Sequence, residues 1–202
     1  MNTISKSKTR TSGSCTPYRT SISISKRMLE WQIVWFDEKP PAALSDLCPA
    51  FRKRAGRYTD RTARQQSIEA YTVLEQLLEA RHVPVTDIVE LASGKWQIGS
   101  LYVSLSHTTS GAGALISTHN AAIDMETIRP VKKRLLQRVL NEAEYEQCRS
   151  PEDFMRMWTV KEAWIKLQKD GSAGYKQIDT TNLNADTFIS HNTAVAILEE
   201  TV

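Results

Sequence analysis

Apolar residues along positions 60–81 recur at helical spacing. Ile68, Tyr71, Leu74, Leu77 and Leu78 fall on one face of a helix. This predicts a long helix, closed by Pro84. Ahead of it, the aromatic run 31–36 reads as a first strand, bounded by the turn Asp37-Glu38-Lys39-Pro40-Pro41. A short helix is expected over 42–50, followed by a basic stretch at 52–57. After Pro84 the pattern changes to short strands at 87–91, 101–105, 112–117 and 121–126. Gly94-Lys95 reads as a tight loop between two of them.

Helical spacing then returns. Pro130 suits the first turn of a helix reaching about 140. Asn141 and Glu144 stand at capping-box distance at the head of the next one. A third helix runs over 151–169 and stops at Asp170-Gly171. On it, Phe154, Met157, Trp158, Trp164 and Ile165 form an apolar arc, with Glu162 at its edge and Lys166 one turn on. Lys161 falls inside the arc, where an ammonium is costly unless it snorkels or pairs. That placement predicts a polar cleft beside the helix. A late strand is expected at 194–198. No short-period repeat is visible.

Composition adds a correction to the charge picture. The 202 residues carry a net charge of +3. Six basic residues and no acid lie in positions 1–27, which leaves 20 basic against 23 acidic residues in the body, a net of −3. A global nucleic-acid-binding surface is therefore not expected. The Ser/Thr-rich positions 1–27 read as a disordered extension, an organellar transit segment, or sequence upstream of a start at Met28. No apolar run is long enough to span a membrane. Cys15, Cys48 and Cys148 are odd in number and form no C-x-x-C pair, so a reducing cytoplasm is expected.

The chemistry concentrates in three acids. Asp124 and Glu126 alternate along one strand and so share a face, with Ile123 and Met125 packing behind them. Two acids on a partly buried strand need a counter-charge, and a divalent cation supplies one. A helical Glu162 with Lys166 one turn beyond completes a hard-cation site facing a phosphate, which points to Mg²⁺-dependent phosphoryl chemistry. The bland alternatives are a solvated acidic face and an i, i+4 surface ion pair. Ser106 and His107 end an apolar strand beside Ser110, Gly111, Ala112 and Gly113, leaving room for a ligand. Both side chains can donate hydrogen bonds to a phosphate. A serine nucleophile is the competing reading, but no G-x-S-x-G elbow is present.

Taken in order, these pieces resemble the Sfp-type 4′-phosphopantetheinyl transferase family over roughly residues 31–171. The Asp-x-Glu motif is matched by Asp124 and Glu126. The Trp-x-x-Lys-Glu-x-x-x-Lys motif is matched by Trp158, Lys161, Glu162 and Lys166, and the Ser-His pair by Ser106 and His107. The Gly-Lys-Pro loop resembles Gly94-Lys95-Trp96, with Trp in place of Pro. The Arg-rich helix entry resembles Asp60-Arg61-Thr62-Ala63-Arg64. Ala122 and Ala163 replace a usual Gly and a common Ser, and 169–173 follows the glycine-rich segment only loosely.

The resemblance implies an α+β pseudo-dimer of two similar subdomains, with the active site in the cleft between them. The join falls near 118–120, giving subdomains 28–119 and 120–202 after the extension 1–27. It implies transfer of the 4′-phosphopantetheine arm of coenzyme A to a serine of an apo acyl or peptidyl carrier protein, releasing adenosine 3′,5′-bisphosphate. Asp124, Glu126 and Glu162 would hold Mg²⁺. Glu162 and Lys166 would be catalytic. Arg64, Lys95, Ser106, His107 and Lys161 would bind coenzyme A. A monomer acting in the cytoplasm, without nucleic acid or membrane, is the expected form. The alternative is a module that binds coenzyme A or a carrier protein without catalysis.

Overall fold

Two antiparallel sheets, each covered by one long helix, make an α+β protein. The computed structural model describes residues 28–85, 88–92, 95–168 and 174–200. The 1–27 extension, Gly94 and the 169–173 segment lie outside them, so the expectations there are not addressed.

The first sheet has the order β1 (Leu29–Trp35), β5 (Gly111–Ser117), β4 (Leu101–His107), β3 (Trp96–Ile98), β2 (Val89–Glu90). The second has the order β6 (Ala121–Thr127), β8 (Thr193–Glu199), β7 (Ala185–Ser190). The chain passes from one sheet to the other at 118–120. Helix α2 (Arg61–Ala80) covers the outer face of the first sheet, and α5 (Pro151–Gln168) that of the second.

Strand alternation explains this layering. On β5, Ala114 and Ile116 join the α2 core with Leu74, Val73 and Leu78. Leu115 points the other way, into a core between the sheets with Trp35, Ile123, Met125, Val195 and Ile197. On β6, Ile123 and Met125 enter that inter-sheet core, whereas Ala122 faces α5 beside Val160, Ala163 and Leu167. Asp124 alternates with Ile123 and Met125 and therefore lies on the α5 side. The sheets approach closely at Gly113, where a Cβ would stand 2.9 Å from Met125 Sδ.

Serine hydroxyls also join the sheets. Met125 N–H donates to Ser106 Oγ and Ile123 N–H to Ser104 Oγ, each at 3.1 Å. Two residues apart on β4, these serines share the face turned to β6.

Several boundaries differ from expectation. The helix expected at 42–50 is instead a 3₁₀ turn at Leu44–Asp46 followed by α1 (Pro49–Ala55). Pro49 explains the break, because a proline at the first helical position loses only an N–H that has no partner there anyway. Arg52 to Arg54 thus belong to α1. The helix expected from Pro130 begins later, as α3 (Lys133–Val139). Helix α4 (Glu142–Gln147) follows, and both of its expected capping-box bonds are present. Strand β7 was not anticipated. It is an edge strand with exposed Asp186 and Thr187 and a weak apolar pattern, joined to β8 through His191 and Asn192 at φ 47° and 55°.

The buried side of α5 also differs. Phe154, Met155, Val160, Ala163 and Leu167 are buried, while Trp164 and Ile165 are only half-buried. Among the described residues, no helix is long and apolar enough to cross a membrane.

Candidate active site

Asp124 sits at the centre of the acidic cluster and is buried. Its Oδ1 accepts from Lys166 Nζ at 2.7 Å and from Ser106 Oγ at 3.1 Å. Its Oδ2 is buried with no hydrogen-bond partner. A carboxylate oxygen left dry in this way is unfavourable unless something else occupies it. Lys166 Nζ also donates to the backbone carbonyls of Leu105 and Ile123, at 3.1 and 3.0 Å. One ammonium thus links α5, β4 and β6.

Glu126 and Glu162 flank Asp124, and both are half-buried. Burial raises the Glu126 carboxyl above the ordinary range. The Asp124 charge raises it further, and the Trp158 hydrogen bond opposes the rise. Burial also raises Glu162, helped by Asp124 and opposed by a hydrogen bond from Tyr175 and by the Lys166 charge. Each acid is held at one oxygen. Trp158 Nε1 donates to Glu126 Oε1 at 3.1 Å, and Tyr175 OH donates to Glu162 Oε1 at 2.7 Å. Burial and the nearby glutamate push the Tyr175 phenol up to about 12, so it remains a donor.

The donor set suits a hard cation. Three carboxylates lie within electrostatic reach of one another, two of them raised by burial and by the Asp124 charge, and the third has an orphaned buried oxygen. Their spacing is wider than coordination requires, since no three His, Cys, Asp or Glu among the described residues are grouped closely enough to hold a metal ion.

Two adjoining hollows open beside this cluster. One is lined by Lys95, Trp96, Tyr102, Val103, Ser104, Leu105, Asn120, Ala121 and Lys166. The other is lined by Tyr58, Ser67, Ala70, Tyr71, Trp96, Leu105, Ser106, His107 and Lys166. They share Trp96, Leu105 and Lys166, so Lys166 joins the acids to both. Desolvation and the Lys166 charge lower the His107 imidazole below its usual value, favouring the neutral ring.

The structure thus brings together Asp124, Glu126, Glu162, Lys166, Lys95, Ser106 and His107. Arg64 stands apart. It is exposed on α2 and does not line either hollow, but its Nε donates at 2.7 Å to the carbonyl of Tyr58, which lines one of them. Ser106 spends its hydroxyl on Asp124 and the β6 backbone rather than presenting it to a ligand.

Lys161 requires a correction. The polar partner predicted beside it lies inside the core, not in a cleft. Lys161 is fully buried, and its Nζ donates to Glu144 Oε2 at 2.6 Å, Ile178 O at 2.7 Å and Tyr175 O at 2.8 Å. With every donor directed inward, it does not reach the hollows as a coenzyme A ligand.

Sequence reasoning did not single out Tyr175. It follows the 169–173 segment, where no periodic pattern guides the eye. Trp158 is read from the sequence as an apolar-arc and motif residue, without its bond to Glu126.

Residues 121–199 match the model of the 4′-phosphopantetheinyl transferase superfamily. The matched segment carries Asp124, Glu126, Glu162, Lys166 and Tyr175. The chain is also similar to the 4′-phosphopantetheinyl transferase HetI of Nostoc sp. (strain PCC 7120 / SAG 25.82 / UTEX 2576). Identity is 35% over 88 residues, which cover 39% of this chain and 37% of that relative. The match therefore spans little more than a third of the relative's length.

Proposed function

We propose that this chain transfers the 4′-phosphopantetheine arm of coenzyme A to a serine hydroxyl of an apo acyl or peptidyl carrier protein. The observation that carries the reading is Asp124, with one oxygen held by Lys166 and the other buried and unpartnered, between two raised glutamates and beside the lysine-lined hollows. The superfamily match over 121–199 and the similarity to the Nostoc 4′-phosphopantetheinyl transferase support it.

In this reading Asp124, Glu126 and Glu162 hold Mg²⁺, which when bound neutralises charge on the pyrophosphate. Lys95 and His107 bind coenzyme A phosphates, with Arg64 toward the 3′-phosphate end. Glu162 accepts the serine proton at Oε2, the oxygen that Tyr175 does not hold. The serine oxygen bonds to the β-phosphorus as the bond to the bridging oxygen breaks. The electron pair leaves on adenosine 3′,5′-bisphosphate. Lys166 stabilises the charge that develops there. Residues 28–119 and 120–202 act as the two subdomains of a cytoplasmic monomer.

The test incubates the purified chain with Mg²⁺, coenzyme A and a panel of apo carrier proteins, read by mass spectrometry. The expected result is a gain of one phosphopantetheine on at least one carrier. Coenzyme A binding with no carrier modified across the panel would overturn the transferase reading in favour of a binding module.

A further inference from the structure

We infer that Tyr175 is a positioning residue for the Glu162 carboxylate, held in place by Trp158 and by the buried Lys161–Glu144 pair. The inference rests on the proposed metal-dependent reading of the acidic cluster.

Three contacts fix Tyr175. Its hydroxyl donates to Glu162 Oε1 at 2.7 Å. Its ring stacks on Trp158, with centroids 5.2 Å apart and planes 15° from parallel. Its carbonyl accepts from Lys161 Nζ at 2.8 Å.

The third contact is anchored deeply. Lys161 and Glu144 are both fully buried. Glu144 Oε1 accepts from Thr180 N–H and Thr180 Oγ, and Lys161 also holds Ile178 O. The buried pair thus grips the chain at Tyr175 and again at 178–180. Lys161 and Glu162 are neighbours on α5, so one helix supplies both the anchor and the acid it orients.

The stacked rings divide the work. Trp158 donates to Glu126 and Tyr175 donates to Glu162. Each ring secures one oxygen of one acid and leaves the other oxygen to act. Hydrogen bonds of this kind orient the ligands of a metal, and removing one weakens metal binding by roughly 10–100-fold.

Mn²⁺ binding to the full-length chain, measured by electron paramagnetic resonance, tests the inference. Tyr175→Phe keeps the ring and its stack and removes only the donor. Its affinity for Mn²⁺ should fall about tenfold or more. Its metal-free thermal midpoint should stay within about 4 °C of the wild type. In a Glu162→Ala background the same change should cost no further affinity, because the acceptor of the Tyr175 hydroxyl is already gone.

A Tyr175→Phe variant that binds Mn²⁺ like the wild type would reduce the residue to packing and overturn the inference. So would an equal loss in both backgrounds. Failure of the wild type to bind Mn²⁺ would overturn the metal reading and this inference with it. Wild-type binding with an unaffected variant would overturn this inference alone.

Discussion

Helices α2 and α5 lie across equivalent faces of their sheets, yet they present different surfaces. Helix α2 buries Ile68, Tyr71, Val73, Leu74, Leu77 and Leu78, and offers Ser67, Ala70 and Tyr71 to the neighbouring hollow. Its buried acid, Glu69, serves the fold. It accepts from Ala42 N–H at 2.7 Å and pairs with Lys39 at 2.9 Å. Helix α5 buries a lysine and a threonine among its apolar residues, and turns Glu162 and Lys166 toward the acids of β6. Toward the hollow α2 is a neutral wall, whereas α5 carries the charges. The lesson is that the covering role of a helix says little about its chemistry. What matters is which polar groups the opposing strand presents, and β6 presents Asp124 and Glu126 where β5 presents Ala114 and Ile116.

Substitutions should separate the two helices. The largest effect is expected at the acids. Asp124→Ala and Glu162→Gln should slow carrier modification by about 10²–10⁴-fold, read by mass spectrometry at fixed time. Full activity of either variant would end the distinction between wall and reactive face. Next comes the buried pair. Lys161→Met should cost about 3–5 kcal/mol in urea unfolding, because it strands Glu144 without its counter-charge. Adding Glu144→Gln should recover part of that loss. A Lys161→Met variant as stable as the wild type would show that the pair is dispensable.

On α2, Leu74→Ala should cost about 2–5 kcal/mol, with turnover per folded molecule unchanged. A fall in turnover at constant folded fraction would show that α2 also shapes the chemistry.

A pH effect should follow from Glu144. Burial alone would raise its carboxyl, but hydrogen bonds from Lys161, Thr180 and Asn141 outweigh it and leave the group below the ordinary value of 4.5. A depressed carboxylate contributes stability above its unfolded value, and that contribution is lost as pH falls through the folded value. Urea midpoints should therefore decline on acidification below 4.5, and the decline should be shallower in Lys161→Met. Equal slopes in the two proteins would assign the acid sensitivity elsewhere. The smallest effect is expected at exposed Arg64. Arg64→Ala should change stability by less than about 0.5 kcal/mol, raise the KM for coenzyme A and leave kcat unchanged.

Much of this arrangement was legible in the chain. The long α2 followed from its apolar spacing, whereas the cap at its N-terminus, where Asp60 Oδ1 accepts from Ala63 N–H at 2.7 Å, came from the structure. The shared face of Asp124 and Glu126 followed from strand alternation, with Ile123 and Met125 in the inter-sheet core. The edge strand β7 was harder to see, because one half-exposed face leaves little apolar signal. The apolar arc assigned to α5 held Phe154, Met157, Trp158 and Trp164 but missed Met155, Val160, Ala163 and Leu167, for a related reason. The helix meets β6 and β8 on one side and the 175–180 segment on another, so no single stripe describes its buried surface.

By itself the sequence determined the local periods, the turns, and which residue types could carry phosphoryl chemistry. These depend on neighbours within a few positions. The two lysines of one motif show what it left undecided. Lys161 and Lys166 lie five residues apart on the same helix. The first is buried against Glu144, and the second bridges Asp124 and the carbonyls of β4 and β6. Only the tertiary structure separated them. An ammonium's role depends on the acceptors it meets, and those acceptors come from segments tens of residues away.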